Sequence, residues 1–405
     1  MKKVRFIHAA DLHLDSPMIG LKHLPERVFR KLQESTFEAL RKIVDAALMY
    51  EVDFVIIAGD LYDGEDRSIR AQTRFRKQME RLAEREIAVY IVHGNHDHLE
   101  GNWTHLPMPK NVHLFPHEVE AVKFSKDNGT TVHLYGFSYP KRHLYERMIP
   151  FYRKEQGADF HIGILHGSID GNNEHGKYAP FTLKELQDKE FDYWALGHIH
   201  KRHDVCLQPL VVYPGNIQGR NRKETGEKGC YLVDLTESGC SRKFIETAVV
   251  IWDEILLDAS NLDSFDVIYN ECRNLIEDKR ATEKATILSV KIENVAIPDQ
   301  DFTALINGEL LEVLQEEEKV EENFVWISEL SIQSSKQWER EHLEKDSDFY
   351  GELFHIANQH DELTKSMAAL YNHPVARKYL TELTVEEKNK LAEEAEDLLV
   401  RLLIR

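Results

Sequence analysis

The chain has 405 residues, and its 51 basic and 70 acidic side chains give a net charge of −19 at pH 7. This balance argues against a protein whose whole surface binds nucleic acid, and the sequence has no apolar run near the ~20 residues that a transmembrane helix requires. Hydrophobic residues make up 42% of the chain and charged residues 30%, as in a globular protein of two or three domains.

Short apolar runs alternate with helical patterns over the first part of the chain. Residues 4–10 predict a strand, and residues 25–50 predict a long amphipathic helix opened by a proline. A buried strand at 52–58, a charged helix at 66–86 and a strand at 87–93 follow. Later strands are predicted at 112–115, 131–137, 158–165, 191–196 and 209–214. This order indicates an α/β layered fold with a large mixed sheet.

The pattern changes near residue 250. Beyond it, strands are predicted at 249–258, 284–294 and 323–333, and helices near 261–278 and 300–316. This predicts a small α+β domain at 251–335, after a first domain at 1–250. Residues 336–405 lack strand signals and predict a helical C-terminal region. Its last helix carries one apolar stripe, formed by Leu391, Ala395, Leu398 and Leu402.

The acidic excess lies entirely in the C-terminal part. Residues 1–250 carry 35 basic and 35 acidic side chains, whereas residues 251–405 carry 16 and 35. Histidine is distributed the opposite way, with 17 of 21 before residue 251. The two parts are therefore expected to have different roles.

The four cysteines form no CxxC pair, so we expect neither a disulfide framework nor a thiolate zinc site. A reducing cytoplasm is the expected location.

Polar side chains of metal-binding type follow five of the predicted strands. Each group lies close to a glycine, which permits tight turns and close backbone approach. Asp, Asn and His are seldom buried without a partner, so packing alone does not explain the series. The groups are Asp11 and His13; Asp60 and Asp63; Asn95, His96 and Asp97; His166; and His198 and His200. We predict that these strand ends converge on a metal site.

The stretch LGHIHKRH, which contains the last group, is weak when taken alone. In extended backbone, His198 and His200 would point the same way, so both rings could reach one spot. An isolated HxH is more often a pair of surface histidines in a turn. Asp97 is expected to fix its turn through backbone hydrogen bonds, and His8, inside a strand, is expected to be structural.

The number and chemistry of the candidate ligands favour two metal ions. Seven ligands are too many for one tetrahedral ion but suit two ions that share a carboxylate. Carboxylate, imidazole and amide donors without thiolate favour Mn²⁺, Fe²⁺ or Zn²⁺. Two ions about 3.5–4 Å apart can hold a bridging hydroxide as nucleophile and clamp a phosphoryl group during in-line displacement.

The motifs D-x-H, G-D-x-x-D, G-N-H-D, H-G and G-H-x-H, in this order across residues 11–200, resemble the calcineurin-like metallophosphoesterase superfamily. The resemblance implies a layered β-sandwich core flanked by helices. It also divides the ligands between a first metal (Asp11, His13 and His200), a second metal (Asn95, His166 and His198) and a bridge (Asp60).

The same resemblance implies roles for two residues beside the metals. His96 would contact the scissile phosphate and protonate the leaving oxygen. Asp63 would orient His96 through a carboxylate–imidazole hydrogen bond, which also raises the pKa of His96. The resemblance suggests Mn²⁺ as the metal, although the ligands alone also allow Fe²⁺ or Zn²⁺.

Further features separate the chain from phosphoprotein phosphatases. The second motif reads GDLYDGED, without their Arg-Gly, and Asp97 stands where they carry Glu. The α+β module and helical tail are similar to SbcD-type DNA repair nucleases, and HAADLHLDSP and YPGNIQGRNRKETGEKG to their bacterial YhaO branch. This implies a homodimeric exonuclease, with some endonuclease activity, at the nucleoid. It also implies a capping domain over the site and C-terminal helices that dock on an SMC/ABC-type coiled-coil ATPase.

DNA contacts are predicted in two segments, with ordinary surface loops as the alternative. Tyr139 is a candidate for stacking on a base, and the basic candidates are Lys141, Arg142, Arg220, Arg222 and Lys223. Two other functions remain open. One is a phosphodiesterase that acts on nucleotides or other small diesters without a DNA role. The other is a binding scaffold with a dead site, which is disfavoured because every ligand position is filled.

Overall fold

The computed structural model describes residues 2–63, 67–100, 106–171, 178–334, 348–357 and 383–403, with positions 104, 340, 343, 367–371 and 373 between them. Parts of the predicted helical region at 336–405 therefore lie outside the described residues. Among the described helices, none combines the length and apolarity needed to cross a membrane.

The described strands form three sheets. In chain order the strands are β1 (Lys3–Ala9), β2 (Phe54–Ala58), β3 (Ala88–Val92), β4 (Val112–Leu114), β5 (Glu120–Ser125), β6 (Thr131–Gly136), β7 (Phe160–His166), β8 (Tyr193–Gly197), β9 (His203–Leu207), β10 (Leu210–Tyr213), β11 (Gly229–Thr236), β12 (Gly239–Glu246), β13 (Val250–Asp258), β14 (Ala285–Val295) and β15 (Val325–Ser334). The first sheet has the order β12-β11-β1-β2-β3-β4, the second β5-β6-β7-β8-β10-β9 and the third β13-β14-β15.

In chain order the described helices are α1 (Glu26–Met49), α2 (Ile69–Ala83), α3 (Leu183–Gln187), α4 (Phe265–Arg280), α5 (Asp299–Ile306), α6 (Glu309–Glu317), α7 (Asp348–Ala357) and α8 (Val385–Leu403). Helices α1, α2 and α4 begin and end close to their predicted positions, whereas the short helix α3 was not predicted. The N-cap of α2 is Ser68, whose side chain accepts a hydrogen bond from the Ala71 backbone N–H. The helix predicted near 300–316 is two helices, because the chain turns at Gly308 with φ of 88°.

The two six-stranded sheets pack face to face, which confirms the predicted α/β sandwich. Phe6 of β1 lies 5.2 Å from Tyr193 of β8, measured between ring centroids, within one buried cluster drawn from both sheets. Leu40 of α1 and Phe75 of α2 belong to a second buried cluster with Ile57, so these helices cover the outer face of the first sheet. Burial of this apolar surface is the main stabilising contribution to such a core.

The strand order corrects one expectation, since two mixed sheets replace the single large sheet. The antiparallel pair β11 and β12 extends the first sheet beyond β1 and was not predicted. Strands β1, β2 and β3 run parallel to one another, as do β7 and β8. Their carboxyl ends hold the polar residues discussed below.

The described chain divides into two compact units. Met1–Ile255, Cys272–Ser289 and Leu311–Glu329 belong to the first, and Leu256–Glu271, Val290–Leu310 and Leu330–Arg405 belong to the second. The domain limits at 250 and 335 remain predictions.

Candidate dinuclear metal centre

Five strands position the candidate ligands. Each ligand lies at the carboxyl end of β1, β2, β3, β7 or β8, or just beyond it. In that strand order the residues are Asp11 and His13; Asp60; Asn95; His166; and His198 and His200. Because these ends belong to two facing sheets, residues far apart in sequence meet in one place.

Four of the seven residues form a first cluster. One donor atom from each of Asp11, His13, Asp60 and His200 lies within 4.8 Å of the others. His13 Nε2 is 3.1 Å from His200 Nε2 and 3.8 Å from Asp60 Oδ2. Asp11, His13 and Asp60 are buried. Buried carboxylates and imidazoles gathered in this way suit a cation among them.

The remaining three residues form a second cluster beside the first. Asn95 Oδ1 lies 3.1 Å from His166 Nε2 and 3.2 Å from His198 Nδ1. His166 Nε2 is also 3.4 Å from Asp60 Oδ2. The same carboxylate oxygen of Asp60 therefore borders both clusters, as a bridging ligand must.

The two histidines of the HxH motif belong to different clusters. The alternation of side chains along a strand would not predict this. His198 faces Asn95, whereas His200 faces His13. The backbone of His198 has φ of 100°, so it is not extended. The prediction that both rings point to one spot is therefore replaced by one ring for each cluster.

Four of the candidate ligands have backbone conformations with positive φ. Asp11, His13, Asp60 and His198 have φ of 51°, 42°, 50° and 100°, a region that residues other than glycine rarely adopt. Hydrogen bonds hold this geometry, since the backbone N–H of Asp11 donates to Gly59 O and that of His13 to Asp60 O, over 3.1 and 2.9 Å. Strain of this kind persists where the surrounding structure fixes a functional arrangement.

Two glycines allow the strand ends to approach one another. A Cβ atom on Gly59 would overlap the His166 ring. A Cβ atom on Gly94 would overlap Asp60 Oδ1 and lie 2.6 Å from His166 Nε2. The absence of a side chain at these positions is thus part of how the ligands meet.

The electrostatics of the site fit bound cations. Although burial opposes ionisation, neighbouring imidazoles, chiefly His166, hold the pKa of Asp60 well below its ordinary value. Burial lowers the pKa of His13 to about 4, which keeps this imidazole neutral at pH 7, as metal ligation requires. Against the effect of burial, Asp60 and Asp11 raise the pKa of His166 to about 9. The carboxylates thus stabilise positive charge where a divalent ion would supply it.

His96 lies at the rim of the ligands, with its side chain 31% exposed. Its Nδ1 is 3.3 Å from Asp63 Oδ1, and its backbone N–H donates to Asp60 Oδ1 over 3.0 Å. Burial works against the imidazolium, but Asp63 and Asp60 raise the pKa of His96. Asp63 therefore both orients the ring and favours its proton-carrying form.

Comparisons with known proteins decide the family. The model described as "Calcineurin-like phosphoesterase" matches residues 4–202, the span that contains all seven candidate ligands. An "Uncharacterized metallophosphoesterase YhaO" of Bacillus subtilis (strain 168) is 40% identical over 405 residues, with coverage of 98% of this chain and 97% of that protein. The chain belongs to the calcineurin-like phosphoesterase family. It is a metal-binding hydrolase whose family uses a dinuclear centre and cleaves phosphoesters.

More distant relatives of this phosphoesterase are named as DNA repair proteins. The "DNA double-strand break repair protein Mre11" of Thermoplasma acidophilum is 26% identical over 242 residues, which are 56% of this chain and 62% of that protein. The protein of the same name from Methanocaldococcus jannaschii is 25% identical over 298 residues, or 69% and 71%.

The phosphoesterase also has residues whose contacts at the site the sequence did not predict. Glu224 and Ser16 were not candidates, and Arg220 was expected to contact DNA. Glu224 Oε1 is 2.7 Å from His200 Nδ1 and so orients a candidate ligand. Arg220 Nη1 donates to Asp63 Oδ2 over 3.0 Å, and its Nη2 donates to Glu224 Oε1 over 3.2 Å. Ser16 Oγ donates to Asp63 Oδ2 over 2.7 Å. These residues stand in loops without hydrophobic periodicity, so only their polarity could have pointed to them.

Asp97 has the structural place expected of it. Its carboxylate accepts hydrogen bonds from the backbone N–H groups of Leu61 and Gly94, over 2.8 and 2.7 Å, and contacts His93 Nδ1 at 2.7 Å. It ties the loop that carries Asn95 and His96 to the end of β2.

The residues proposed for DNA binding lie in different environments. Tyr139 requires a correction: it is fully buried and donates from its hydroxyl to the His166 carbonyl over 2.8 Å, so its ring is not accessible to a base. Arg220 is also not a surface contact, because it lies inside the network around Asp63. Arg222 is exposed and pairs with Glu329. The remaining candidates, Lys141, Arg142 and Lys223, are exposed.

Proposed function

We propose that this phosphoesterase is a metal-dependent DNA nuclease, mainly an exonuclease, that hydrolyses phosphodiester bonds in DNA repair. The observation that carries the proposal is the pair formed by His96 and Asp63 at the rim of the ligand clusters, 3.3 Å apart. Diester hydrolysis expels an alkoxide, a poor leaving group that needs a proton. A protonated imidazole held beside the centre suits that task.

Each residue around the metal centre has a separate role in this proposal. Two divalent cations held by the seven ligands would stabilise phosphoryl charge and acidify a water molecule. His96 binds the phosphate and donates its proton to the leaving oxygen. Asp63 holds the ring through Nδ1, and Arg220 and Ser16 hold Asp63. Glu224 keeps His200 in one ring orientation and tautomer.

The choice of DNA as the substrate rests on the relatives. Proteins named for DNA double-strand break repair are 25–26% identical over more than half of this chain. Residues 1–250 are electrically neutral, so bound divalent ions would make the site attractive to a polyanion. Hydrolysis of nucleotides or other small diesters without a DNA role is the alternative outcome of the test.

The test compares DNA with a small diester. Purified protein with Mn²⁺ should progressively shorten end-labelled single- or double-stranded DNA and should also cleave bis-p-nitrophenyl phosphate. Asp60→Asn should abolish both activities, whereas His117→Ala, at an exposed histidine, should leave both unchanged. Cleavage of the small diester alone would contradict the nuclease proposal and support the alternative.

We also propose a homodimer that binds an SMC/ABC-type ATPase through its C-terminal helices. In support, α8 exposes the apolar residues Val385, Leu391 and Leu399. Two members of the predicted stripe, Leu398 and Leu402, have side chains outside the described residues. Truncation after residue 382 should abolish co-purification with a co-expressed ATPase of this class while diester cleavage persists.

The homodimer is tested by the molar mass of the purified protein, measured by light scattering. A monomeric mass would contradict the proposed dimer.

A further inference from the structure

Three aromatic side chains, called the stack below, pack against one another beside the candidate metal ligand His198. The Tyr178 ring lies 5.1 Å from the His198 ring, measured between centroids, at an angle of 50°. The His143 ring lies 5.8 Å from the Tyr178 ring at 28° and 6.0 Å from the Tyr145 ring at 13°. The Tyr145 and Tyr178 rings are 6.4 Å apart at 36°. The Tyr178 hydroxyl is 3.1 Å from His143 Nδ1. All three rings therefore contact one another, and Tyr178 joins them to the metal centre.

The backbone holds this stack in place. Leu144, between His143 and Tyr145 in the chain, is buried, whereas His143 and Tyr145 are exposed. Ala179 N–H donates to Leu144 O over 2.7 Å, which joins the two segments that carry the rings. Ser168 N–H donates to Tyr178 O over 2.9 Å and ties the stack to the loop after the ligand His166. The rings are thus pre-positioned relative to the site.

The stack is open to solvent on the side of Tyr145. Tyr145 is 65% exposed. A single exposed aromatic ring needs no explanation, but three rings in mutual contact beside a phosphoester-cleaving centre form an aromatic surface next to that centre. Nucleobases bind to such surfaces because every base has a flat π-face. Lys141 is exposed two residues before the stack and offers positive charge for a phosphate.

We infer that Tyr178, His143 and Tyr145 form a stacking platform for the unpaired nucleobases next to the scissile phosphate. This assigns to the Tyr145 side of the site the stacking role that the sequence suggested for the buried Tyr139. The inference rests on the proposed nuclease function, because it takes the ligand to be part of a DNA strand. It adds that recognition uses the bases as well as the phosphates of that strand.

The test measures binding rather than cleavage. Fluorescein-labelled dT10 and an abasic strand of the same length are titrated by fluorescence anisotropy, in Mn²⁺, against protein carrying His96→Ala to keep the strand intact. Adding Tyr145→Ala should weaken dT10 binding about tenfold, as expected for one lost stacking contact, and leave abasic-strand binding unchanged. Tyr145→Phe should bind dT10 like the parent. Phe151→Ala, at another exposed ring outside the stack, is the matched control and should have no effect.

The outcomes separate the two proposals. If Tyr145→Ala weakens binding of both strands equally, or of neither, the platform is wrong, whether or not the protein cleaves DNA. If dT10 binding depends on Tyr145 but the unmodified protein cleaves no DNA, the platform stands and the nuclease function is wrong.

Discussion

Arg220 donates a hydrogen bond to Asp63 over 3.0 Å, and through this contact the loop after β10 reaches the group that orients His96. The guanidinium also lies between Asp63 and Glu224, the partner of His200. One cation, with its side chain 13% exposed, thus supports both the proton donor and a metal ligand. A planar fork with several donors suits this position better than the point charge of a lysine.

Arg220→Gln should lower kcat for bis-p-nitrophenyl phosphate about 10–100-fold, because Asp63 and Glu224 lose the group that holds them in place. KM should change much less, and Arg220→Lys should recover part of the loss. Arg222→Gln is the matched control, since Arg222 pairs with Glu329 on an exposed face, and its kcat should match the parent. Equal effects of the two substitutions would contradict the assignment of Arg220 to the site.

His96→Ala should retain metal and lose turnover, by about 10²–10⁴-fold on DNA. The loss should be smaller on bis-p-nitrophenyl phosphate, because p-nitrophenolate leaves without needing a proton. Metal content is measured by inductively coupled plasma mass spectrometry beside the rates. A parallel fall in metal content, or equal losses on the two substrates, would show that His96 is not the proton donor.

Gly94→Ala should weaken metal binding at least about tenfold, because its Cβ atom would overlap Asp60 Oδ1 and press on His166. Isothermal titration with Mn²⁺ measures the effect. Gly351→Ala is the matched control, since the structure leaves open space for a Cβ atom there, within α7. Unchanged Mn²⁺ affinity in Gly94→Ala would mean that the close packing at this strand end does not shape the site.

The buried His8 should make the metal-free protein sensitive to acid. Burial lowers its folded pKa from 6.5 to about 3, so between these values the unfolded chain takes up a proton that the folded chain does not. Stability from this group is therefore complete above pH 6.5 and falls by about 1.4 kcal/mol per pH unit below it. His8→Gln should give a shallower decline of the free energy of unfolding between pH 7 and pH 5, measured by urea denaturation in EDTA. His117→Gln should keep the parental slope; the same slope in all three proteins would refute this role for His8.

Most of the candidate ligands could be predicted, because each is recognisable from the residues next to it in the sequence. A buried strand such as residues 54–58 that ends in Gly59 and Asp60 places a carboxylate where only a partner makes burial tolerable. Five strand ends of this kind indicated that their polar side chains meet in one place. The two-sheet arrangement could not be predicted from local sequence patterns. Strands β11 and β12 join the first sheet because β11 pairs with β1, which is more than 200 residues away in sequence.

Other features depend on conformation that sequence patterns do not carry. The alternation rule failed at His198 because its backbone has φ of 100°. Tyr139 follows a strand, as an accessible stacking residue would, and only the fold shows that its hydroxyl is bound to the His166 carbonyl. Arg220 and Glu224 stand among other polar residues, and their roles come from contacts with residues distant in sequence, Asp63 and His200.

The central claim is that the strand ends bind two cations around the shared carboxylate of Asp60. Crystals of the protein grown with Mn²⁺ would test it through anomalous diffraction at the manganese edge. We expect two anomalous peaks about 3.5–4 Å apart, one on each side of Asp60. A single peak, or peaks that do not share Asp60 as a ligand, would contradict it.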